Sequence, residues 1–322
     1  MRIASLCGLL LLLTSAPSRA EWYSDTREMM GTRVEIQLWA ADAATGGKLI
    51  AAGMAEFARI EAAMSTYRDS SEISAVNREA ALHAVPTSVE LYDLVRRSLE
   101  LSVATGGAFD ITFDSVGRLY DFRKGVRPGA EAIRAGLPLI DYRHVVLSDN
   151  PATIRFVTPG TRINLGGIAK GYACERVIAL LRKAGVSNAL ANAGGDTRLL
   201  GDRRGKPWVV GIRDPDDSNH WVTRLALDDE AISTSGDYER FFDEDGVRYH
   251  HILDPKTGRS ATGIRSVTII GPDATLTDGL STSVFVLGAD RGLALVESMP
   301  AYGAVIIDAH KKVRFSTALQ AR

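Results

Sequence analysis

The spacing of apolar residues changes several times along the chain, and each change marks an element. Val34, Ile36 and Leu38 alternate with polar residues, which predicts a strand over 31–39 behind the turn Met30-Gly31-Thr32. Leu49, Ile50, Met54, Phe57, Ile60 and Met64 recur at helical spacing, which predicts a helix over 47–64. Thr87 or Ser88 caps a second helix, with Glu90 close behind and Leu91, Leu94, Val95, Leu99 and Val103 on one face; Gly106-Gly107 ends it. Residues 143–148 and 152–157 read as a hairpin around Asn150-Pro151. The second half alternates faster. A helix runs from about Gly167 to Lys183, and a strand at 188–193 is interrupted by Gly194-Gly195-Asp196. Strands follow at 207–213, 221–227, 239–243 and 265–270, helices at 275–286 and 290–298, and strands at 303–308 and 312–316. Strands and helices without strict alternation predict an α/β chain of the α+β-like kind, with mixed sheets and helices and no doubly wound sheet.

Composition narrows the class. The chain has 322 residues, 45% hydrophobic and 24% charged, with a mean hydropathy of -0.01. Such values fit a globular protein and argue against disorder or several membrane spans. Lys and Arg number 38 against 39 Asp and Glu, so no broad basic field is offered to nucleic acid. Residues 1–20 read as a signal peptide: Arg2, an apolar run Leu6–Leu13, and small residues flanking Arg19 in Ser18-Arg19-Ala20. That run is shorter than the roughly 20 apolar residues a membrane helix needs. Cys7 does not follow the run, as a lipid-anchoring cysteine should. The expectation is therefore an exported, soluble, periplasmic protein with no transmembrane segment in its mature chain and one domain over 21–322. Cleavage would leave Cys174 as the single cysteine, with no intramolecular disulfide and no thiolate metal cluster.

The thirty glycines cluster in particular loops, the first hint of a ligand site. Asn164-Leu165-Gly166-Gly167-Ile168-Ala169-Lys170-Gly171 opens a helix, where free N–H groups and the helix dipole favour an anion and Lys170 can reach a phosphate. Read plainly, it is a glycine-rich loop with an exposed lysine. Asp278 and Thr282 stand four residues apart on a helix, with Ser281 beside them. Their oxygens suit a hard cation such as Mg²⁺ and do not suit zinc. The alternative is an N-capping aspartate with two hydroxyls bonded back into the helix. His250 and His251 are adjacent, so on a strand at most one faces a given site, and either is a candidate general base or a structural histidine. Tyr67 in a polar loop, and Phe109 with Asp110 at a tight turn, could line a pocket for a flat heteroaromatic ring or serve as packing and a cap.

Taken in order, these segments resemble the ApbE family, the FAD:protein FMN transferases. The likeness runs from Met30-Gly31-Thr32 through Ser65-Thr66-Tyr67 to Glu72-Ile73-Ser74, Gly107-Ala108-Phe109-Asp110 and Leu165-Gly166-Gly167-Ile168-Ala169-Lys170-Gly171. It continues with Asn192-Ala193-Gly194-Gly195-Asp196, Thr234-Ser235-Gly236-Asp237-Tyr238, His251-Ile252-Leu253-Asp254-Pro255 with Thr257-Gly258, and Asp278 to Thr282. The resemblance implies a single domain of two closely packed lobes with FAD between them. It implies a Mg²⁺-dependent reaction that splits FAD at its pyrophosphate, releases AMP and esterifies FMN to a threonine or serine of an acceptor protein. The acceptor would be a subunit of a membrane redox complex. Met30, Tyr67, Ser71, Glu72, Ala108, Phe109, Asp110, Asn164, Lys170, Asp237 and His251 would contact the flavin nucleotide. Asp278, Ser281 and Thr282, with a backbone oxygen near Gly167, would hold the metal, and His251, Asp278 and Lys170 would carry the chemistry. One position departs from the family, which commonly has aspartate where this chain has Asn164. Two further readings of the same site are an FAD pyrophosphatase and a periplasmic FAD-binding protein without turnover.

Overall fold

β1 (Glu21–Met29) and β2 (Thr32–Ala40) pair antiparallel along their whole length, from Glu21 opposite Ala40 to Met29 opposite Thr32. The computed structural model describes residues 20–217 and 219–320; apart from Ala20, the expected leader lies outside the described residues. Met30 and Gly31 both take positive φ (55° and 68°) between these strands. A two-residue turn of that kind matches the right-handed twist of the strands it joins. β1 carries no sequence signal because it is a polar, largely exposed edge strand.

After this hairpin come α1 (Ala43–Met64), α2 (Glu72–Glu79), β3 (Val85–Pro86), α3 (Val89–Ala104), α4 (Asp114–Gly117), α5 (Ala130–Gly136), β4 (Val145–Asp149) and β5 (Ala152–Phe156). The second half runs α6 (Ala169–Lys183), β6 (Ala189–Ala193), β7 (Asp196–Leu200), β8 (Trp208–Arg213), β9 (Trp221–Leu227), β10 (Ala231–Gly236), β11 (Phe241–Glu244) and β12 (Val247–His250). The short pair β13 (Leu253–Asp254) and β14 (Arg259–Ser260) leads to β15 (Ile264–Gly271), α7 (Ala274–Leu287), α8 (Ala289–Glu297), β16 (Gly303–Asp308), β17 (Val313–Phe315) and α9 (Thr317–Gln320).

Eight strands make the central sheet in the order β1-β2-β6-β7-β10-β15-β16-β17, every neighbouring pair antiparallel. This is the α+β-like arrangement the element pattern predicts. One face is covered by α1, α6 and α7: Val34, Ile36 and Leu38 of β2 and Ala189, Ala191 and Ala193 of β6 share a core with Phe57, Val177 and Val284. The opposite face is covered by the β8–β9 hairpin, where Trp208, Ile212 and Leu227 meet Leu199, Ile232, Ile270 and Val305. With cover on both faces, β7 and β16 are buried at every residue. No helix among the described residues is long and apolar enough to cross a membrane.

The elements missing from the sequence pattern are β1, α2, α5, β7, β10 and β12, together with the short β3, α4, β13, β14 and α9. β10 (Ala-Ile-Ser-Thr-Ser-Gly) reads as a loop because three of its six residues carry hydroxyls and one is glycine. They fit inside because each is paired: Ser233 with Thr277 at 2.8 Å, Thr234 with Thr268 at 2.9 Å and Ser235 with Ser281 at 2.8 Å. α6 starts at Ala169, two residues later than expected, because Gly166 and Gly167 remain in the turn before it.

α6 and α7 cross at Gly171. A Cβ there would lie 2.0 Å from the Ala274 carbonyl oxygen and 2.7 Å from Asp278 Cβ, so only glycine admits this approach. Gly171→Ala is expected to lower unfolding free energy in urea by about 3 kcal/mol, since backbone must move. Gly47→Ala on α1, where a Cβ meets nothing within 4 Å, should be neutral or stabilising by about 0.5 kcal/mol. Equal costs at the two sites would refute this packing.

Candidate active site

The crossing of α6 and α7 gathers groups from four elements. Asp278, buried on the first turns of α7, accepts the Gly171 N–H on Oδ2 at 2.9 Å. The Lys170 ammonium lies 3.6 Å from the same oxygen and makes its close ion pair with Asp196, the first residue of β7. Thr282 lies one turn beyond Asp278. Ser235 of β10 is 3.5 Å from Thr282 Oγ1 and hydrogen-bonds to Ser281. Gly167 closes the ring: a Cβ there would be 3.4 Å from Thr282 Oγ1 and 3.3 Å from the Phe109 ring. The cap of α7 is Asp273, which accepts from Leu276 N, so Asp278 is not a capping residue; Ser281 does bond back to the Asp278 carbonyl at 2.9 Å.

The electrostatics follow from this crowding. Burial, reinforced by the Asp196 charge and opposed by Lys170 and the Gly171 N–H, pushes the Asp278 carboxyl up to about 7. Burial disfavours the Lys170 ammonium, but Asp196 and Asp278 outweigh it and hold the group charged well past its ordinary range. Burial, with Arg240, His250 and Lys170 nearby, pulls His251 down to about 3, so its imidazole is neutral.

The two histidines diverge as their adjacency requires. His250 is buried and fully used: Nε2 meets the Ala261 carbonyl at 2.8 Å, Nδ1 accepts the Ile252 N–H, and the ring packs edge-on against Phe285. His251, just past β12, donates its backbone N–H to the Arg240 carbonyl, and its buried Nδ1 has no hydrogen-bond partner. A neutral imidazole keeps one lone-pair nitrogen, which makes His251 the site's candidate proton acceptor.

The other expected contacts fall in different situations. The Met30 N–H is held by Glu61, and Arg240 reaches from the His251 segment to the Gly31 carbonyl at 3.0 Å. Tyr67 stands 91% exposed, a free aromatic face. Ala108 and Phe109 are buried. Ser71 caps α2 and donates to the Ser65 carbonyl, while Glu72 receives both donors of Ser88, so these side chains hold the loop that presents Tyr67. Asp110 accepts from Thr112 N, Thr112 Oγ1 and Tyr142 N, and burial raises its carboxyl. Asp237 pairs with Arg265 at 2.9 Å and keeps one oxygen without a hydrogen-bond partner. Asn164 donates to Thr66 and to Asp114, and accepts from Gly166 N. The structure thus brings Gly167, Lys170, Asp278, Ser281 and Thr282 together and gives Ser71, Glu72 and Asp110 loop-holding bonds. Asp196, Ser235 and Arg240 join the site without having been assigned roles. All three stand in or beside the quoted motifs, but only strand pairing shows what they face.

Among the described residues no three His, Cys, Asp or Glu side chains converge. The cluster instead offers the Asp278 carboxylate with the hydroxyls of Ser281, Thr282 and Ser235, oxygen donors of the kind a hard divalent cation takes.

The ApbE family profile matches residues 30–306. The chain is 35% identical over 277 residues to the FAD:protein FMN transferase of Treponema pallidum (strain Nichols), covering 80% of this chain and 76% of that protein. It is 32% identical over 297 residues to the FAD:protein FMN transferase of Vibrio cholerae, covering 90% and 88%. Among solved structures, the ApbE protein of Thermotoga maritima superposes with a TM-score of 0.87 at 33% identity, over 94% of this chain and 99% of that one. The flavin transferase ApbE of Vibrio cholerae superposes with a TM-score of 0.83 at 30% identity, over 94% and 99%.

Asn164 has a local reason. Its amide donates to Asp114 Oδ1 at 3.1 Å, and that carboxyl is already pushed up by burial, with Asn164 and Arg162 opposing. Asn164→Asp would set a second carboxylate there, and the pair's folded-state pKa would rise above its unfolded value. A raised carboxyl stabilises below the unfolded pKa and loses that contribution as pH rises. The variant should therefore match wild type near pH 4 and fall behind by about 2 kcal/mol at pH 7. Denaturant midpoints at the two pH values check this; a pH-independent gap would contradict it.

Proposed function

The chain belongs to the ApbE family, and we propose that it is a flavin transferase that splits FAD and leaves FMN on a threonine or serine of an acceptor protein, with Mg²⁺ at Asp278. The observation that supports this reading is the convergence of Asp278, Thr282, Ser281 and Gly167 beside Lys170, a group of oxygen-bearing side chains next to a fixed ammonium at a helix start.

Phosphoryl transfer needs little covalent chemistry from the protein; it needs positioning and neutralised charge. Asp278, Thr282, Ser281 and a backbone oxygen near Gly167 would hold the metal. Bound there, Mg²⁺ would neutralise pyrophosphate oxygens as charge builds on them. Lys170 adds a fixed positive charge, and the start of α6 adds backbone N–H groups. The flavin end of FAD would lie toward Tyr67, Met30 and Phe109, between the two halves of the domain. The acceptor hydroxyl oxygen bonds to the FMN phosphorus while the bond to the AMP phosphate oxygen breaks. His251, neutral and with an unpartnered Nδ1, accepts the hydroxyl proton. Phosphates at the site would offset Arg240 and Lys170 and raise the basicity of His251 as substrate binds.

The expected leader, with Arg2, Leu6–Leu13 and Ser18-Arg19-Ala20, supports an exported, periplasmic enzyme. A flavin-carrying subunit of a membrane redox complex, exposed on that side, is the acceptor this reading calls for.

Incubating the protein with FAD, Mg²⁺ and an acceptor domain bearing an exposed threonine should give fluorescent, FMN-bearing acceptor on a denaturing gel, with one AMP released per FMN attached. FMN and AMP both free in solution would mean a pyrophosphatase, and intact bound FAD a carrier. Asp278→Ala should abolish turnover and leave FAD affinity within about threefold of wild type, because one metal ligand is lost while the flavin contacts remain. Mg²⁺ affinity without FAD should fall about tenfold per pH unit below pH 7, since the cation competes with the proton held by Asp278. Calorimetric titrations at pH 5.5, 6.5 and 7.5 test this; a flat profile would remove Asp278 from the metal site.

A further inference from the structure

We propose that Asp196 is a positioning residue: it holds the Lys170 ammonium off Asp278 and so keeps one oxygen of the Asp278 carboxylate open to the divalent cation. The inference rests on the reading of Asp278 as the cation's carboxylate and adds a residue that this reading does not require.

Three observations carry it. Lys170 has two carboxylates within reach; its close contact is with Asp196, and Asp278 stands off at 3.6 Å. Among the described residues the Gly171 N–H bonds to Asp278 Oδ2 and the Lys170 ammonium lies nearest that same oxygen, so both of these contacts fall on Oδ2 and neither on Oδ1. Asp196 itself cannot drift. It is 2% exposed, pairs with Ala193 and Ser233 in the sheet, and accepts on its carbonyl from Cys174 Sγ at 3.4 Å and Asn192 Nδ2 at 3.2 Å. The turn before it is equally fixed, since a Cβ on Gly195 would lie 2.5 Å from the Thr234 carbonyl oxygen.

A buried carboxylate on an immobile strand must be paired, and Lys170 is its partner. Among the described residues an ammonium released from Asp196 has one other carboxylate in reach, the one on which the cation depends. There the lysine would act as a tethered competitor, present at far higher local concentration than any free ion.

Magnesium titrations by calorimetry, at pH 7.5 and without FAD, test the assignment on wild type, Asp196→Asn, Lys170→Met and the double variant. Asp196→Asn should bind Mg²⁺ about tenfold more weakly than wild type. Lys170→Met should bind at least as tightly as wild type. The double variant should return to within about threefold of Lys170→Met. Unchanged affinity in Asp196→Asn overturns the proposal. So does a double variant as weak as Asp196→Asn, which would make Asp196 a partner of the cation itself. Should Asp196→Asn fail to fold, Lys170→Met decides alone, and weaker binding there is the contrary result. A wild type that takes up no Mg²⁺ fails the underlying reading of Asp278 and this inference with it, whereas normal uptake with no effect of Asp196→Asn fails this inference only.

Discussion

The hydrogen bond from the Gly171 N–H to the Asp278 carboxylate ties α6 to α7, and the candidate site exists because of it. With any other residue at 171 the two helices would stand further apart. The close approach puts the glycine turn of α6 against Thr282, brings Lys170 within reach of Asp278, and sets both helices over β7 and β10. Burial at the same crossing raises the proton affinity of Asp278. A carboxylate in that state is costly to keep charged and gains most from a cation.

The sheet beneath is adapted to the same end. Its helix-covered face is apolar under α1, where Val34, Ile36 and Leu38 of β2 pack. It turns to hydroxyls under α7, where Ser233 and Ser235 of β10 meet Thr277 and Ser281. A buried hydroxyl ladder is tolerated because each member has a partner, and it delivers oxygen atoms to the site without adding net charge. One charge of each sign, Asp196 and Lys170, is then closely paired, and the carboxylate of Asp278 is the group left for chemistry.

Much of this was legible in the sequence, and the gaps have physical causes. Periodicity located α1, α3, α6, α7, β2 and β16, since each carries a strong apolar repeat. It was silent on β1, which lies at an exposed edge, on β10, whose interior is polar, and on α2, which has only Ile73 and Val76 as buried apolar residues. For the site, the i, i+4 spacing of Asp278 and Thr282 and the glycine turn before Lys170 were readable as chemistry. The role of Asp196 was not, because it depends on the pairing of β7 with β6 and β10 and on which carboxylate the lysine chooses. The loop-holding bonds of Ser71, Glu72 and Asp110 were hidden for the same reason: their partners Ser65, Ser88 and Tyr142 are brought to them by the fold.

The central claim is that the α6–α7 crossing is a cation site. Crystals soaked in Mn²⁺ and measured at the manganese absorption edge address it most directly. The account predicts an anomalous peak beside Asp278 and Thr282, on the side facing Gly167, that disappears in Asp278→Ala crystals. A crystal with no peak there, or with its manganese bound at another cluster, would contradict it.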